Sequence, residues 1–173
     1  MIYKIRIILD AEEDIFRDLE LESESNLEVL HNAITQSFGF LGEEMASFFT
    51  CDENWVQDEE IPLFDIRENE EESRQMSNIA LSDLMDEDSP RLLYVYDFLN
   101  MWTFFVELAD MGEKESGKTY PNLLFSFGQV PEAPPEKQFE ADNADLDRDF
   151  DDDFDEDENF DDYDQMDFDE NWN

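Results

Sequence analysis

Several residue types are scarce in this chain, and each scarcity excludes a kind of site. The single cysteine, Cys51, excludes an intrachain disulfide, and five glycines leave little room for a phosphate-binding loop. Because His31 is the single histidine, any catalytic triad or multi-histidine metal site within one chain would have to be built around it. We therefore predict no catalytic residue, cofactor site or metal site.

Long apolar runs are also absent. No stretch approaches the roughly 18 consecutive apolar residues that a membrane-spanning helix needs. The first residues, MIYKIRIILDAEED, carry two bases inside an alternating apolar pattern, which predicts a first strand and not a signal peptide. We expect a cytoplasmic protein in which Cys51 is a small buried hydrophobic residue and not a reactive thiol.

Basic residues are few in comparison with acidic ones. The chain has 10 Lys and Arg residues against 50 Asp and Glu residues, a formal net charge of −40. Residues 138–173 hold 18 of the acids and one base, Arg148, so this segment alone has a net charge of −17. Such a chain repels nucleic acids and anionic membranes and attracts basic surfaces. We therefore predict a basic protein as partner, and no direct contact with nucleic acid or membrane.

Composition divides the chain in two. Residues 1–137 contain repeated Leu, Ile, Phe, Tyr and Trp residues and have the length of one ordinary domain. The Pro-rich VPEAPPEK at 130–137 precedes an acidic run that continues to the last residue. We predict one folded domain at 1–137 and a disordered acidic tail at 138–173.

Apolar and polar residues alternate with a period of two in much of the first part. This pattern predicts six strands, at residues 2–9, 15–21, 46–52, 61–66, 91–98 and 101–109. The first two strands form a predicted hairpin, Pro62 places the fourth at a sheet edge, and Asn100 marks the turn between the last two. The fifth strand is expected to bury one face, which consists of Leu92, Tyr94, Tyr96 and Phe98.

A helical pattern interrupts the strands. Ser25 and Glu28 have the spacing of a capping box, and Gly39 is a C-terminal stop, which predicts a main helix over about 26–37. Its apolar stripe is Leu27, Leu30, Ile34, Phe38 and Leu41. A shorter helical turn is predicted at 82–85. The order β-β-α-β-β-short α-β-β indicates an α+β fold, a mostly antiparallel sheet covered by one main helix.

Four segments resemble the ORF-3-like family of root-inducing plasmids. They are IYKIRIIL, IFRDLELESESNLEVLHNAITQSFGF, RLLYVYDFLNMWTFFVEL and YPNLLFSFGQVPEAPPE, and they lie within residues 1–136, so that the acidic tail is outside the resemblance. The resemblance implies a compact α/β roll of a kind widespread in bacteria, without an established biochemical activity.

This chain departs from the family at positions that carry chemistry. The family's His-Leu-His pair is Glu44-Met45-Ala46 here, its Gly-Asp after Tyr-Asp-Phe is Leu99-Asn100, and its His after the Trp is Phe104. The family's cysteines correspond to Leu123 or Leu124, and to Ala133. A metal or nucleophilic site inherited from the family would need those His and Cys groups.

Two residues nevertheless have a catalytic alternative. His31 lies inside the apolar stripe of the main helix, which favours a packed, hydrogen-bonded core histidine over a catalytic base. Asp97 stands among aromatic residues at a strand end. Burial there would raise its pKa and make it a general acid, but a turn residue accepting amide hydrogen bonds is the favoured interpretation.

The tail contains an incomplete calcium-loop pattern. Asp145, Asp147, Asp149 and Glu156 have the spacing of loop positions 1, 3, 5 and 12, but Phe150 occupies the position where the sharp turn needs Gly. We expect weak, non-selective binding of divalent ions and no true calcium site.

The tail aromatics support a functional hypothesis. Like charges hold the tail open, so its rings stay available to a partner. The tail contains Phe139 and six further aromatic residues that we predict to be partner-binding rings. These six are Phe150, Phe154, Phe160, Tyr163, Phe168 and Trp172. We predict a non-enzymatic interaction protein for a basic surface, an interpretation that includes a nucleic-acid mimic or an accessory of the transcription or translation machinery. The alternatives are a divergent mobile-element enzyme or hydrolase and a tail that only increases solubility.

Overall fold

The computed structural model describes residues 1–65 and 74–134. The strands are β1 Ile2–Leu9, β2 Phe16–Glu22, β3 Ala46–Cys51, β4 Gln57–Pro62, β5 Arg91–Tyr96, β6 Trp102–Gly112 and β7 Asn122–Phe127. The helices are α1 Leu27–Phe38 and α2 Leu81–Leu84, with a 3-10 turn at Met76–Asn78.

These seven strands form one sheet, in the order β4-β3-β5-β6-β1-β2-β7. Each neighbouring pair is antiparallel, and the predicted hairpins β1–β2 and β5–β6 are both present. The predicted α+β fold, a mostly antiparallel sheet with one main helix, is confirmed.

The core lies between α1 and one face of the sheet. On β1 the period-two pattern buries Tyr3, Ile5, Ile7 and Leu9, as the sequence predicted. The buried stripe of α1 faces them, and the ring of Phe38 lies 4.8 Å from that of Phe104 on β6. Each fully buried apolar side chain of this kind contributes about 1.5–3 kcal/mol, so this layer supplies most of the stability.

The capping residue of helix α1 lies one residue later than the predicted one. The side chain of Asn26, not Ser25, accepts a hydrogen bond from the Val29 amide at 3.0 Å. Ser25 instead accepts the Leu81 amide through its backbone carbonyl at 2.8 Å, which ties it to the start of α2. The capping-box prediction was therefore wrong in its residue, since a tertiary contact holds the backbone of Ser25 outside the helix.

The other end of α1 follows the prediction in part. Gly39 has φ +80° and ends the helix, as expected from its freedom to adopt the left-handed region. We had predicted that Leu41 belongs to the buried stripe, which was wrong. The helix stops at Phe38, and Leu41 is exposed.

Strands β4 and β5 are among those whose bounds differ from the predicted ones. Strand β4 occupies Gln57–Pro62 and not 61–66, because its acidic residues pair with β3 through their backbone while their side chains stay in water. Strand β5 ends at Tyr96, since Asp97 has φ +62° and turns the chain. Phe98 therefore does not share the buried face of β5 and is exposed.

Strand β7 was not predicted. It pairs with β2 at the sheet edge, where Phe16 faces Phe127 and Glu20 faces Asn122. The buried guanidinium of Arg17 strengthens the attachment, since it donates hydrogen bonds to the carbonyl oxygens of Phe127 at 2.9 Å and Ser37 at 3.0 Å. Burial lowers the pKa of Arg17 from its ordinary value.

The predicted acidic tail at 138–173 lies outside the described residues. In the described part of the chain, no helix has the length and apolar character that crossing a membrane requires.

Candidate functional site

A cleft of about 440 Å³ opens at one end of the sheet, where β5 ends and β6 begins. We call it the rim cleft. Its lining residues are Phe38, Gly39, Phe40, Leu41, Glu43, Glu44, Tyr96, Asp97, Trp102, Val130, Pro131 and Glu132. The cleft therefore combines four aromatic rings with four carboxylates, and the chain beyond β7 forms one of its walls.

The aromatic wall of the rim cleft depends on where α1 stops. After the left-handed Gly39, the Phe40 amide bonds the Thr35 carbonyl at 2.8 Å, which directs Phe40 over the sheet. The Phe40 ring then lies 4.9 Å from that of Tyr96 and 5.0 Å from that of Trp102. Such ring pairs contribute roughly 0.5–1.5 kcal/mol each beyond their buried area, so these contacts stabilise the wall.

Asp97 builds the turn on the acidic side of the cleft. Its carboxylate accepts hydrogen bonds from the Leu99 amide at 3.2 Å and the Asn100 side chain at 2.6 Å, while its own amide bonds the Met45 carbonyl at 2.8 Å. These are the contacts of a turn residue, which was the favoured interpretation.

His31 is buried on α1, beneath the sheet face. Its Nδ1 lies 2.7 Å from the hydroxyl of Tyr94, and burial lowers the pKa of the imidazole. Burial likewise raises the pKa of the Tyr94 hydroxyl well above its ordinary value, so at neutral pH both groups are uncharged. The geometry is that of the packed, hydrogen-bonded core histidine predicted from the sequence.

Cys51 is the last residue of β3. We had predicted a buried residue, but Cys51 is half-buried. Burial, with the neighbouring charge of Asp52, raises the pKa of its thiol to about 11. Since the thiolate is the reactive form, Cys51 is a weak nucleophile near neutral pH.

The positions where the family resemblance implied His or Cys hold other chemistry. Ala46 and Phe104 are fully buried, and the Phe104 ring packs 5.6 Å from that of Tyr94. Leu123 and Leu124 are exposed on β7. Residues 1–65 and 74–134 contain no cluster of three or more His, Cys, Asp or Glu side chains placed to hold a metal ion.

The tail residues on which the functional hypothesis depends lie outside the described residues. This applies to Phe139, to the six partner-binding rings from Phe150 to Trp172, and to the incomplete calcium loop that begins at Asp145. Their role in binding stays a prediction.

Sequence reasoning missed the rim cleft. Its available signal was the aromatic pair in FGF at 38–40, directly after the helix stop. The pattern shows that a second ring follows Phe38, but not that this ring reaches Trp102, more than sixty residues further along the chain.

The fold and the cleft describe a small α+β protein with one antiparallel sheet and an acidic, aromatic rim. A family model described as plasmid pRiA4b ORF-3-like protein matches residues 1–172, and the chain belongs to that family. We had expected the resemblance to end near residue 136, which was wrong, because the match continues through the acidic tail.

A solved structure supports the fold. It is the crystal structure of a protein of unknown function from Methanosarcina mazei Go1, with a TM-score of 0.61 and 19% sequence identity. The similarity covers 72% of this chain and 68% of that one. No curated protein matches the chain.

Proposed function

We propose that this protein is a non-enzymatic, acidic interaction protein that binds a basic protein surface in the cytoplasm. The partner we favour is itself a nucleic-acid-handling protein, whose phosphate-binding surface the carboxylates occupy as a nucleic-acid mimic. An accessory protein of the transcription or translation machinery is an instance of this class.

The observation that carries the proposal is that most basic residues of the described chain form ion pairs within the fold. Residues 1–65 and 74–134 contain 27 acidic and seven basic residues. Five of the basic residues form ion pairs within the fold: Arg6 with Asp18, Arg74 with Glu59, Arg91 with Glu107, Lys114 with Glu22 and Lys118 with Glu20. Since these cations are already paired, the charge left for a partner is overwhelmingly negative.

The tail extends the same chemistry. Its net charge of −17 raises the rate of encounter with a cationic surface, and burial of its rings lengthens the lifetime of the complex. The rim cleft adds four carboxylates beside an aromatic wall, and Glu132 in that cleft lies six residues before the start of the tail. Fold and tail thus offer the same two kinds of group to a partner.

Affinity purification from host lysate with three forms of the protein tests the proposal. The forms are the full chain, a chain without residues 138–173, and a full chain with its six partner-binding rings replaced by serine. We expect the full chain to retain basic, nucleic-acid-handling proteins, and tail removal to weaken capture steeply at low salt. The serine variant keeps the charge, so it should bind at low salt but release the partner faster.

A circular dichroism spectrum of each form checks that the sheet is intact. Binding that is independent of both salt and tail would contradict the role given to the tail. A measurable catalytic turnover that disappears when both His31 and Asp97 are substituted would favour the enzyme alternative and end the proposal.

A further inference from the structure

Helix α1 and the edge strand β7 form a groove. The space between them is a cleft of about 450 Å³. Val29 and Ala33 of α1 and Leu123 of β7 supply apolar walls, and the side-chain amides of Asn32 and Gln36 also line it. We call this cleft, together with the open edge of β7, the β7 groove. It joins an apolar slot to a strand edge.

Strand β7 presents apolar side chains on both of its faces. Its exposed large residues are Leu123 at 47%, Leu124 at 43%, Phe125 at 51% and Phe127 at 49%. Leu123 lies opposite Leu19 on the helix side, whereas Phe127 stacks on Phe16 at 5.4 Å on the other side. A register shift between Asp18 and Leu19 makes this possible, because it changes which β7 residues face α1.

The free edge of β7 is uncharged in a highly charged chain. Charged residues make up 35% of the sequence, but Asn122–Phe127 contains none. Among the described strands, only β2 pairs with β7. A long apolar edge strand is a template for another strand, and extended peptides bind proteins by adding to such edges.

Negative charge lies at the end of this edge. Gly128 follows β7 with φ +81°, and a Cβ atom there would lie 2.5 Å from the Asp14 carbonyl oxygen. The strand therefore ends against the exposed turn that carries Glu12, Glu13 and Asp14. At the other end, Lys118 is 3.1 Å from Glu20 and Lys114 is 2.6 Å from Glu22, so both cations are already neutralised.

We propose that the β7 groove binds an extended segment of a basic protein, which adds to the sheet beside β7. Alternate apolar side chains of the segment enter the slot against α1, and its Lys or Arg side chains meet the acidic turn. This inference deepens the proposed function and rests on it, since it names the backbone geometry by which a basic partner is recognised.

Charge favours a basic segment over two other possible occupants of the groove, a second copy of the chain and residues 138–173. A second copy would bring a further net charge of −40 to the edge, and residues 138–173 would bring −17. Like charges oppose both, whereas a cationic segment is attracted. The groove thus discriminates between possible binding segments by charge, and it binds the cationic segment through backbone hydrogen bonds.

A peptide titration of the full chain tests the inference. The probe is a short fluorescent peptide of alternating lysine and valine, with binding followed by anisotropy. Its first control carries N-methyl groups on the amides of one edge, which preserves charge but prevents strand pairing. Its second control replaces lysine by glutamate. We expect the first control to bind at least roughly tenfold more weakly than the probe, and the second not to bind.

Two protein variants locate the site. Leu124→Lys places a repelling charge on the edge, and we expect it to weaken probe binding roughly tenfold with an unchanged unfolding midpoint. Leu99→Lys makes the same change at a residue 93% exposed, in the turn between β5 and β6, and should leave binding nearly unchanged. Amide hydrogen exchange should slow at Asn122–Phe127 when the probe is bound.

The outcomes are separable. If neither N-methylation of the probe nor Leu124→Lys weakens binding, the β7 groove is not the binding site. The proposed function would then rest on charge alone. A concentration-dependent dimer that Leu124→Lys dissociates, without probe binding, would assign the edge to a second copy and also overturn the inference. Failure of the full chain to bind either the probe or any basic protein would remove the proposed function as well.

Discussion

The two outer strands of the sheet differ in charge although both belong to one acidic chain. Strand β4 exposes Asp58, Glu59 and Glu60 and ends at Pro62. Strand β7 exposes leucine and phenylalanine and has no charged residue. Acidic side chains and proline are common protections against unwanted strand pairing, so β4 is a closed edge and β7 an open one.

The edges also differ in how they are held. Ile61 of β4 is fully buried in the core, whereas each residue of β7 keeps contact with water. The open edge is attached through β2, Arg17 and Glu20 rather than through a buried side chain of its own. A closed edge therefore contributes to stability, and an open edge leaves its apolar surface for binding.

The largest expected effect is the difference in stability between truncations to alanine at the two edges. Ile61→Ala removes a buried side chain and should lower the free energy of unfolding by about 2–5 kcal/mol. Leu123→Ala removes a half-exposed one and should cost less than about 1 kcal/mol. Urea unfolding of both variants measures the difference, and equal losses would show that β7 is anchored in the core after all.

An intermediate effect concerns the attachment of β7. Burial raises the pKa of the Glu20 carboxyl, but hydrogen bonds from Asn122 and Lys118 outweigh it, so the pKa lies below its ordinary value. A lowered folded-state pKa stabilises the fold above the unfolded value of about 4.3, and this contribution is lost as pH falls through the folded value. Glu20→Gln should therefore cost about 1 kcal/mol at neutral pH.

The difference between wild type and Glu20→Gln should shrink as pH falls below about 4. Glu22→Gln is the matched control, because Glu22 pairs with Lys114 in a more exposed position. Unfolding curves recorded across this pH range test both variants. A pH-independent loss in Glu20→Gln would show that packing, and not ionisation, stabilises the end of β7.

The smallest effect on stability comes from opening the closed edge. Replacing Asp58 and Glu60 by leucine should change the free energy of unfolding by no more than about 0.5 kcal/mol, since both side chains are exposed. The variant should nevertheless self-associate more than wild type in sedimentation velocity, because its edge has lost its like charges. If it stays monomeric, charge is not what protects β4.

Much of the fold followed from local pattern. Alternation located β1 and β2 because one face of each is buried, and Gly39 located the end of α1 because only glycine takes its backbone angles easily. Strand β4 was misplaced because its acidic residues form a strand only beside β3. In β7 the short apolar run of NLLFSF was a usable signal, but without a regular alternation it did not stand out.

The site depended more on contacts between distant residues. Phe40 reaches Tyr96 and Trp102 only because the turn at Asp97 brings β5 and β6 together under the end of α1. Buried His31 was recognisable from the helix stripe, whereas its partner Tyr94 was not. Local spacing shows which face of an element is apolar, but not which element will cover it.

By itself, the sequence determined the excess of negative charge, the strands with one apolar face and the end of the main helix. Each depends on composition or on neighbours a few residues apart, and so needs no knowledge of the remaining chain. Only the tertiary structure decided which strands are at the edges, because β1 pairs with both β2 and the distant β6. That pairing order leaves β7 at the edge of the sheet, where its apolar side chains remain in water.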